Sequence, residues 1–480
     1  MNIEKDTSSS VKIVVTKPIK RKKGVTSMIT NKDYFAQLPK EIKQGFSELN
    51  VGYHLRKANI TKLSGYSCLA VFKLIFLLVF QYPNWFRAFT SKKAADLPSK
   101  DTVYRFLNTC TYNWRQFLLS LSSEMIRLIR PLTSEKRVTA FVIDDSVYSR
   151  NRSKAVELLA NVFDHSSHRY LKGFQLLTLG WTDSSTFIPV DFALMSSAKK
   201  ESRIQEMNTS IDKRTSGYKR RMEAVQSKPQ VVSDLLDHAL DKGMLADYVL
   251  MDSWFTQAPL IQSITDKGLF VIGMVKQLKQ RYQYEGERFT LPELYRKAKP
   301  AMGKKDILGA VQVKLDNGIP AKMLFIRNRN KRSEWLAILS TDTTLDNEEI
   351  VRIYGMRWDI EVFFKCNKSL LNLEKECQGR SYDALISHTT IVFTRYMLIA
   401  WQMRKEADPK TFGNLFYELG EDVQDIDFVT ALQSLIDIFQ TLAEAKVVLS
   451  MDIFKSQMNK WLAALPSYFK QCLDISGCES

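Results

Sequence analysis

Tyr248–Val275 reads YVLMDSWFTQAPLIQSITDKGLFVIGMV. Tyr248–Met251 is a short apolar run, the length of a buried strand, and it ends at Asp252. Thr256–Lys267 has helical spacing, and Gly268 stands where a helix C-terminus favours a left-handed residue. Leu269–Val275 is a second apolar run. Strand, helix and strand in that order predict two strands paired in parallel across a helical crossover.

Upstream, Val138–Ile143 is apolar and β-branched and runs into Asp144–Asp145–Ser146. Gly173–Trp181 and Phe187–Leu194 follow as strands, with the polar turn Thr182–Ser185 between them. An antiparallel meander followed by parallel strand–helix units predicts an α/β fold with an RNase H-like mixed sheet. Between these parts, residues 199–228 are polar and basic, with Lys213, Arg214, Lys219, Arg220 and Arg221 around Gly217. That stretch reads either as a phosphate-contacting arm or as a solvated connector. Val231–Lys242 is helical.

Downstream, Ala310–Leu315 and Ala321–Ile326 flank the hairpin turn Asp316–Asn317–Gly318, and Trp335–Leu339 is a further strand. Residues 280–341 therefore form a small β-rich insertion. A helix is expected from about Leu345 to Glu374, and another over Leu385–Met403. In the first of these, Tyr354, Arg357, Glu361 and Lys368 share an arc of about 60°. Ile353, Met356, Ile360, Phe363, Phe364 and Leu370 fill much of the opposite side. A carboxylate flanked by two cations and a phenol suits an acid that handles metal-bound phosphate; a solvated face with i,i+4 ion pairs is the plainer reading.

Residues 1–31 form a basic tail with Lys17, Lys20, Arg21, Lys22 and Lys23. Residues 32–132 are helical and read as a DNA-binding domain. Leu69–Phe80 is its buried helix, and the helix from Ser99 turns Tyr104, Arg105 and Asn108 outward. Residues 133–404 form the catalytic domain, and 405–480 a helical C-terminal region with Trp461 and Phe469 as core candidates.

The net charge of +17 and a sequence pI near 9.4 favour a polyanionic partner. The longest apolar run is too short to cross a bilayer, so nucleic acid is expected rather than a membrane. Six scattered cysteines, none in a C-x-x-C pair, and five histidines argue against structural zinc and a disulfide framework. A reducing, cytoplasmic compartment fits. There is no P-loop. His165, His168 and Lys172 could touch DNA but read better as a polar turn, and His388 as a core histidine.

Asp145 (or Asp144), Asp252 and Glu361 are the acids that this fold would bring together. Three carboxylates on two central strands and a following helix can hold two Mg²⁺ or Mn²⁺ ions. Tyr354–Lys368 matches Y-x2-R-x3-E-x6-K, and VIDDS, YVLMDSWF and WLAILSTD accompany it. Over about 138–403 the chain thereby resembles bacterial DDE transposases of the insertion-sequence-4 type. The resemblance implies a cut-and-paste transposase with Asp145, Asp252 and Glu361 as the metal-binding triad, Asp145 being favoured because Ser follows it. It implies that Tyr354, Arg357 and Lys368 bind phosphate, and it allows Trp335 to stack on a flipped base. It further implies double-stranded DNA as partner and a homodimer that holds two transposon ends. A catalytically inactive DNA-binding relative and an RNase H-like nuclease without strand transfer are the alternatives.

Overall fold

The computed structural model describes residues 37–465, apart from 83, 92–93, 135, 165–166, 301–305, 329–330, 332, 377, 406–410 and 445–450. The basic tail, His165 and Phe469 lie outside the described residues.

Six helices open the chain: α1 (Lys40–Glu48), α2 (Val51–Lys57), α3 (Cys68–Gln81), α4 (Trp85–Phe89), α5 (Lys100–Leu107) and α6 (Trp114–Ile129). Side-chain caps set several of their starts. Ser67 accepts from Ala70 N, Asn84 from Arg87 N, and Asn113 from Gln116 N. α3 is buried almost throughout, as its unbroken apolar run predicts. α5 buries Val103, Phe106 and Leu107 and leaves Arg105 exposed.

The sheet begins with β1 (Ala140–Ser149), β2 (Ala160–Asp164), β3 (Arg169–Thr182) and β4 (Phe187–Met195). After α7 (Ser216–Glu223) and α8 (Lys228–Asp241) come β5 (Tyr248–Met251), α9 (Ala258–Thr265) and β6 (Phe270–Val275). β1 pairs antiparallel with β3, and β3 with β4. β1, β5 and β6 run parallel in adjacent positions. The order β4-β3-β1-β5-β6, with its meander and parallel pair, is the RNase H-like arrangement expected from the sequence.

The first strand is longer than its apolar run. It continues through Asp144 and Asp145 to Ser149, because β3 pairs with it along the whole length to Gly173. Asp144 and Asp145 therefore lie within the strand rather than at its end.

β7 (Arg281–Tyr284), β8 (Glu287–Thr290), α10 (Leu291–Lys297), β9 (Lys299–Pro300), β10 (Ile307–Lys314), β11 (Pro320–Arg327) and β12 (Trp335–Ser340) make up the expected insertion. It is continuous with the main sheet: β12 pairs antiparallel with β6, and the described strands form one twelve-stranded sheet. Gly318, at φ +84°, closes the β10–β11 hairpin at the expected turn.

α11 (Asn347–Gly355), α12 (Trp358–Ser369), α13 (Tyr382–Lys405), α14 (Phe412–Glu444) and α15 (Met451–Ala464) complete the chain. The single helix expected over 345–374 is thus two. Met356 N and Arg357 N bond three residues back, to Ile353 O and Tyr354 O, and this tighter turn separates α11 from α12. α13 is buried from Tyr382 to Gln402, and Phe363 of α12 packs on Phe393 and Tyr396. Glu376 meets His388 and Arg395 there at 2.8 Å each, so His388 is a core residue. Among the described residues no helix is long and apolar enough to cross a membrane.

Candidate active site

Parallel pairing places the first two acids. Ile143 is paired with Met251, so Asp144 and Asp252 follow side by side on neighbouring chains, about 4.8 Å apart in the sheet direction. Successive strand side chains point to opposite faces, which sends Asp145 the other way. Asp145 forms an ion pair with Lys228 at the start of α8. The ammonium of Lys228 also sits 4.6 Å from the centre of the Trp254 ring.

The structure therefore brings Asp144, not Asp145, together with Asp252 and Glu361. The Ser that follows Asp145 favoured that residue, whereas the two-residue period of the strand puts Asp144 on the side of Asp252 and turns Asp145 to Lys228.

Asp252 is fixed by its own turn. Its Oδ1 accepts from Trp254 N at 2.8 Å and Phe255 N at 3.3 Å, and its carbonyl accepts from Thr256 Oγ1 at 2.7 Å. The ring of Trp254 meets Phe255 as well as Lys228, a structural role.

Glu361 comes from α12, which packs against the sheet through Phe363 on Phe187. Thr182 Oγ1 ties the same helix down by donating to Asp359 Oδ2 at 2.7 Å. Arg357, in the turn between α11 and α12, spans the acids. Its Nη1 is 2.7 Å from Asp144 Oδ2 and 3.3 Å from Glu361 Oε1.

Burial pushes the Asp144 carboxyl up to about 7; Arg357 opposes this, while Asp252 and Glu361 add to it. Burial acts to lower Arg357, but Tyr354, Asp144, Glu361 and Asp252 together raise it, so it stays charged. The Tyr354 phenol is pushed up to about 12, chiefly by burial, and remains a protonated donor.

Lys368 is engaged elsewhere, 2.5 Å from Val147 O and 3.4 Å from Glu374 Oε1. Trp335 lies three strands across the sheet from Asp144, about 14 Å at the usual strand spacing, and three residues further along its strand, about 10 Å more in that direction. It stacks on Tyr295 at 4.8 Å and meets Phe325 edge-on at 5.2 Å, so in this structure it is a packed aromatic. Of the basic stretch 199–228, Arg220 and Arg221 are buried. Arg221 pairs with Glu157 and Asp383, and Arg220 with Glu223. Lys213 and Lys219 remain exposed.

Hard carboxylate oxygens from three elements suit Mg²⁺ or Mn²⁺ in kind. The arrangement in hand does not yet suit one ion. Among the described residues no group of three acid, histidine or cysteine side chains is placed to hold a metal, and the guanidinium of Arg357 stands between Asp144 and Glu361.

No curated protein matches the chain. Among the solved structures that match is the Drosophila P element transposase strand transfer complex, at 11% identity and a TM-score of 0.22, covering 82% of this chain and 92% of that one. Residues 92–318, a stretch that holds Asp144 and Asp252 and stops short of Glu361, match the family model described as DDE superfamily endonuclease.

Proposed function

We propose that the chain is a cut-and-paste DNA transposase of the insertion-sequence-4 type. It binds the terminal inverted repeats of its element as double-stranded DNA and cleaves and joins strands at Asp144, Asp252 and Glu361. The observation that carries this reading is the side-by-side placement of Asp144 and Asp252 on parallel strands, with Glu361 sharing Arg357 with Asp144. Two ends must be held together for excision, which calls for a dimer.

Asp144, Asp252 and Glu361 are the residues that would hold Mg²⁺ or Mn²⁺. When bound, two such ions supply an activated water or 3′-hydroxyl and stabilise the leaving oxygen. Holding them requires Arg357 to leave the acids. A backbone phosphate offers its fork an equivalent bidentate partner. Tyr354 donates its phenolic proton beside it, and Lys368 adds a point charge once it releases Val147 O.

The test is cleavage and joining of linear DNA that carries the repeats flanking the coding region, with Mg²⁺ or Mn²⁺. The parent protein should nick and join these ends, and Glu361→Gln should do neither. A Glu361→Gln protein as active as the parent sinks the assignment.

A further inference from the structure

β1 continues five residues past Asp144 to Ser149, a distance of about 17 Å. A cleft of about 700 Å³ opens where the strand ends. One wall is the segment 150–156, and the other is made by Glu374, Lys375, Gln378, Gly379 and Arg380. Glu157 N donates to Arg380 O at 2.9 Å, joining the two walls. Glu157 is in turn held by the buried Arg221 at 2.6 Å and by Tyr382 N at 2.9 Å, so the cleft rests on the core.

Its charge is one-sided. Arg152, Lys154, Lys375 and Arg380 are exposed, and none has an ion-pair partner among the described residues. Arg150 adds a fifth cation, its guanidinium 4.9 Å from the Tyr148 ring centre and 3.0 Å from the Tyr148 hydroxyl. The acid that lines the cleft, Glu374, is already shared with Lys368 at 3.4 Å. Lys368 thus stands between the acids and the cleft. Like charges gathered on a rigid frame repel one another, and a polyanion relieves that repulsion.

We propose that this cleft binds the phosphodiester backbone of duplex DNA, about five nucleotides along the strand from the acids at 3.4 Å each. The inference rests on the reading that the acids act on DNA, and it adds where the strand runs beyond them.

The test uses the full chain and a fluorescein-labelled duplex, with affinity measured by anisotropy over a range of salt. One variant carries Arg152→Ala, Lys154→Ala, Lys375→Ala and Arg380→Ala together. Every phosphate that the missing cations no longer neutralise should flatten the slope of log K against log salt by about 0.9. A drop of roughly 2 to 4 is expected, with weaker binding at low salt. A second variant that exchanges Lys and Arg at the same four positions keeps the charge and should keep the parent slope.

An alanine variant with parent slope and affinity overturns the proposal, as does a parent protein with no salt-dependent duplex affinity. A charge-keeping variant that falls as far as the alanine one also overturns it. So does inorganic phosphate that binds the parent and not the alanine variant while duplex affinity is equal in both. Failure of the catalytic reading shows separately: Glu361→Gln would still cleave while the cleft variant still showed its flattened slope.

Discussion

Arg357 Nη1 lies 2.7 Å from Asp144 Oδ2, across 213 residues of chain, and 3.3 Å from Glu361 Oε1 on α12. Both side chains of the Arg357–Asp144 pair are largely buried. Removing the cation leaves Asp144 beside Asp252 and Glu361 with no counter-charge. Arg357→Ala should therefore lose about 1–3 kcal/mol of stability in EDTA, the lower end applying if Asp144 takes up a proton. Added Mn²⁺ should return much of that loss, and should stabilise the variant more than the parent because no guanidinium has to be displaced. Thermal unfolding with and without the ion measures both. A midpoint that ignores Mn²⁺ in the variant would show that these acids do not hold an ion.

The alternation of β1 separates its two aspartates. Asp144→Asn should reduce strand cleavage by at least about a hundredfold. Asp145→Asn, which breaks the ion pair with Lys228 on the other face, should retain cleavage within about tenfold and show its effect as a modest loss of stability. Cleavage rates of the two purified variants on the same DNA decide between them, and the opposite ranking would mean that the strand is out of register by one residue.

The meander and the parallel pair were legible because their apolar runs are short and bounded by turn residues. The polar half of β1 was not, since Asp144–Ser149 is strand only through its pairing with β3. β2, with the sequence ANVFD, carries too little pattern to stand out and is set by the same partner. The continuity of the insertion with the main sheet depends on β12 meeting β6, a pairing between distant segments that periodicity does not encode. The break between α11 and α12 did leave a sign: Gly355, a poor helix former, is the last residue of α11. Of the arc Tyr354, Arg357, Glu361 and Lys368, the first three lie around Arg357 while Lys368 turns to Val147 O and Glu374, and the arc could not show that Arg357 turns onto the acids.

The raised Asp144 carboxyl makes the metal-free protein sensitive to pH in a definite direction. Its folded value of about 7 lies above the unfolded value near 3.8, so the folded state binds the extra proton. The stability it contributes is complete below the unfolded value and is lost as pH rises towards 7, by at most about 1.4 kcal/mol per unit. In EDTA the parent should lose stability between pH 5 and 7, and Asp144→Asn should flatten that slope. Denaturant midpoints at a series of pH values give the comparison. Parallel profiles for the two proteins would place Asp144 in an ordinary carboxylate environment.

Gly273 gives a test of the site that touches none of its charged groups. It lies on β6, paired with Met251 just before Asp252. A Cβ there would fall 2.3 Å from Thr256 Oγ1 and 2.9 Å from its Cγ2, so Thr256 would have to move. The hydroxyl of Thr256 donates to Asp252 O at 2.7 Å and closes the turn that aims the carboxylate. Gly273→Ala should thus cost about 1–3 kcal/mol through overpacking. It should also slow cleavage by more than that loss of folded protein explains, because Asp252 is displaced relative to Asp144. Thr256→Ala removes both crowding atoms together with the hydroxyl, so adding it to Gly273→Ala should recover part of the stability but not of the rate. Unfolding midpoints and single-turnover cleavage on the three proteins follow both effects. Full activity in a stably folded Gly273→Ala protein would mean that the turn after β5 does not position Asp252.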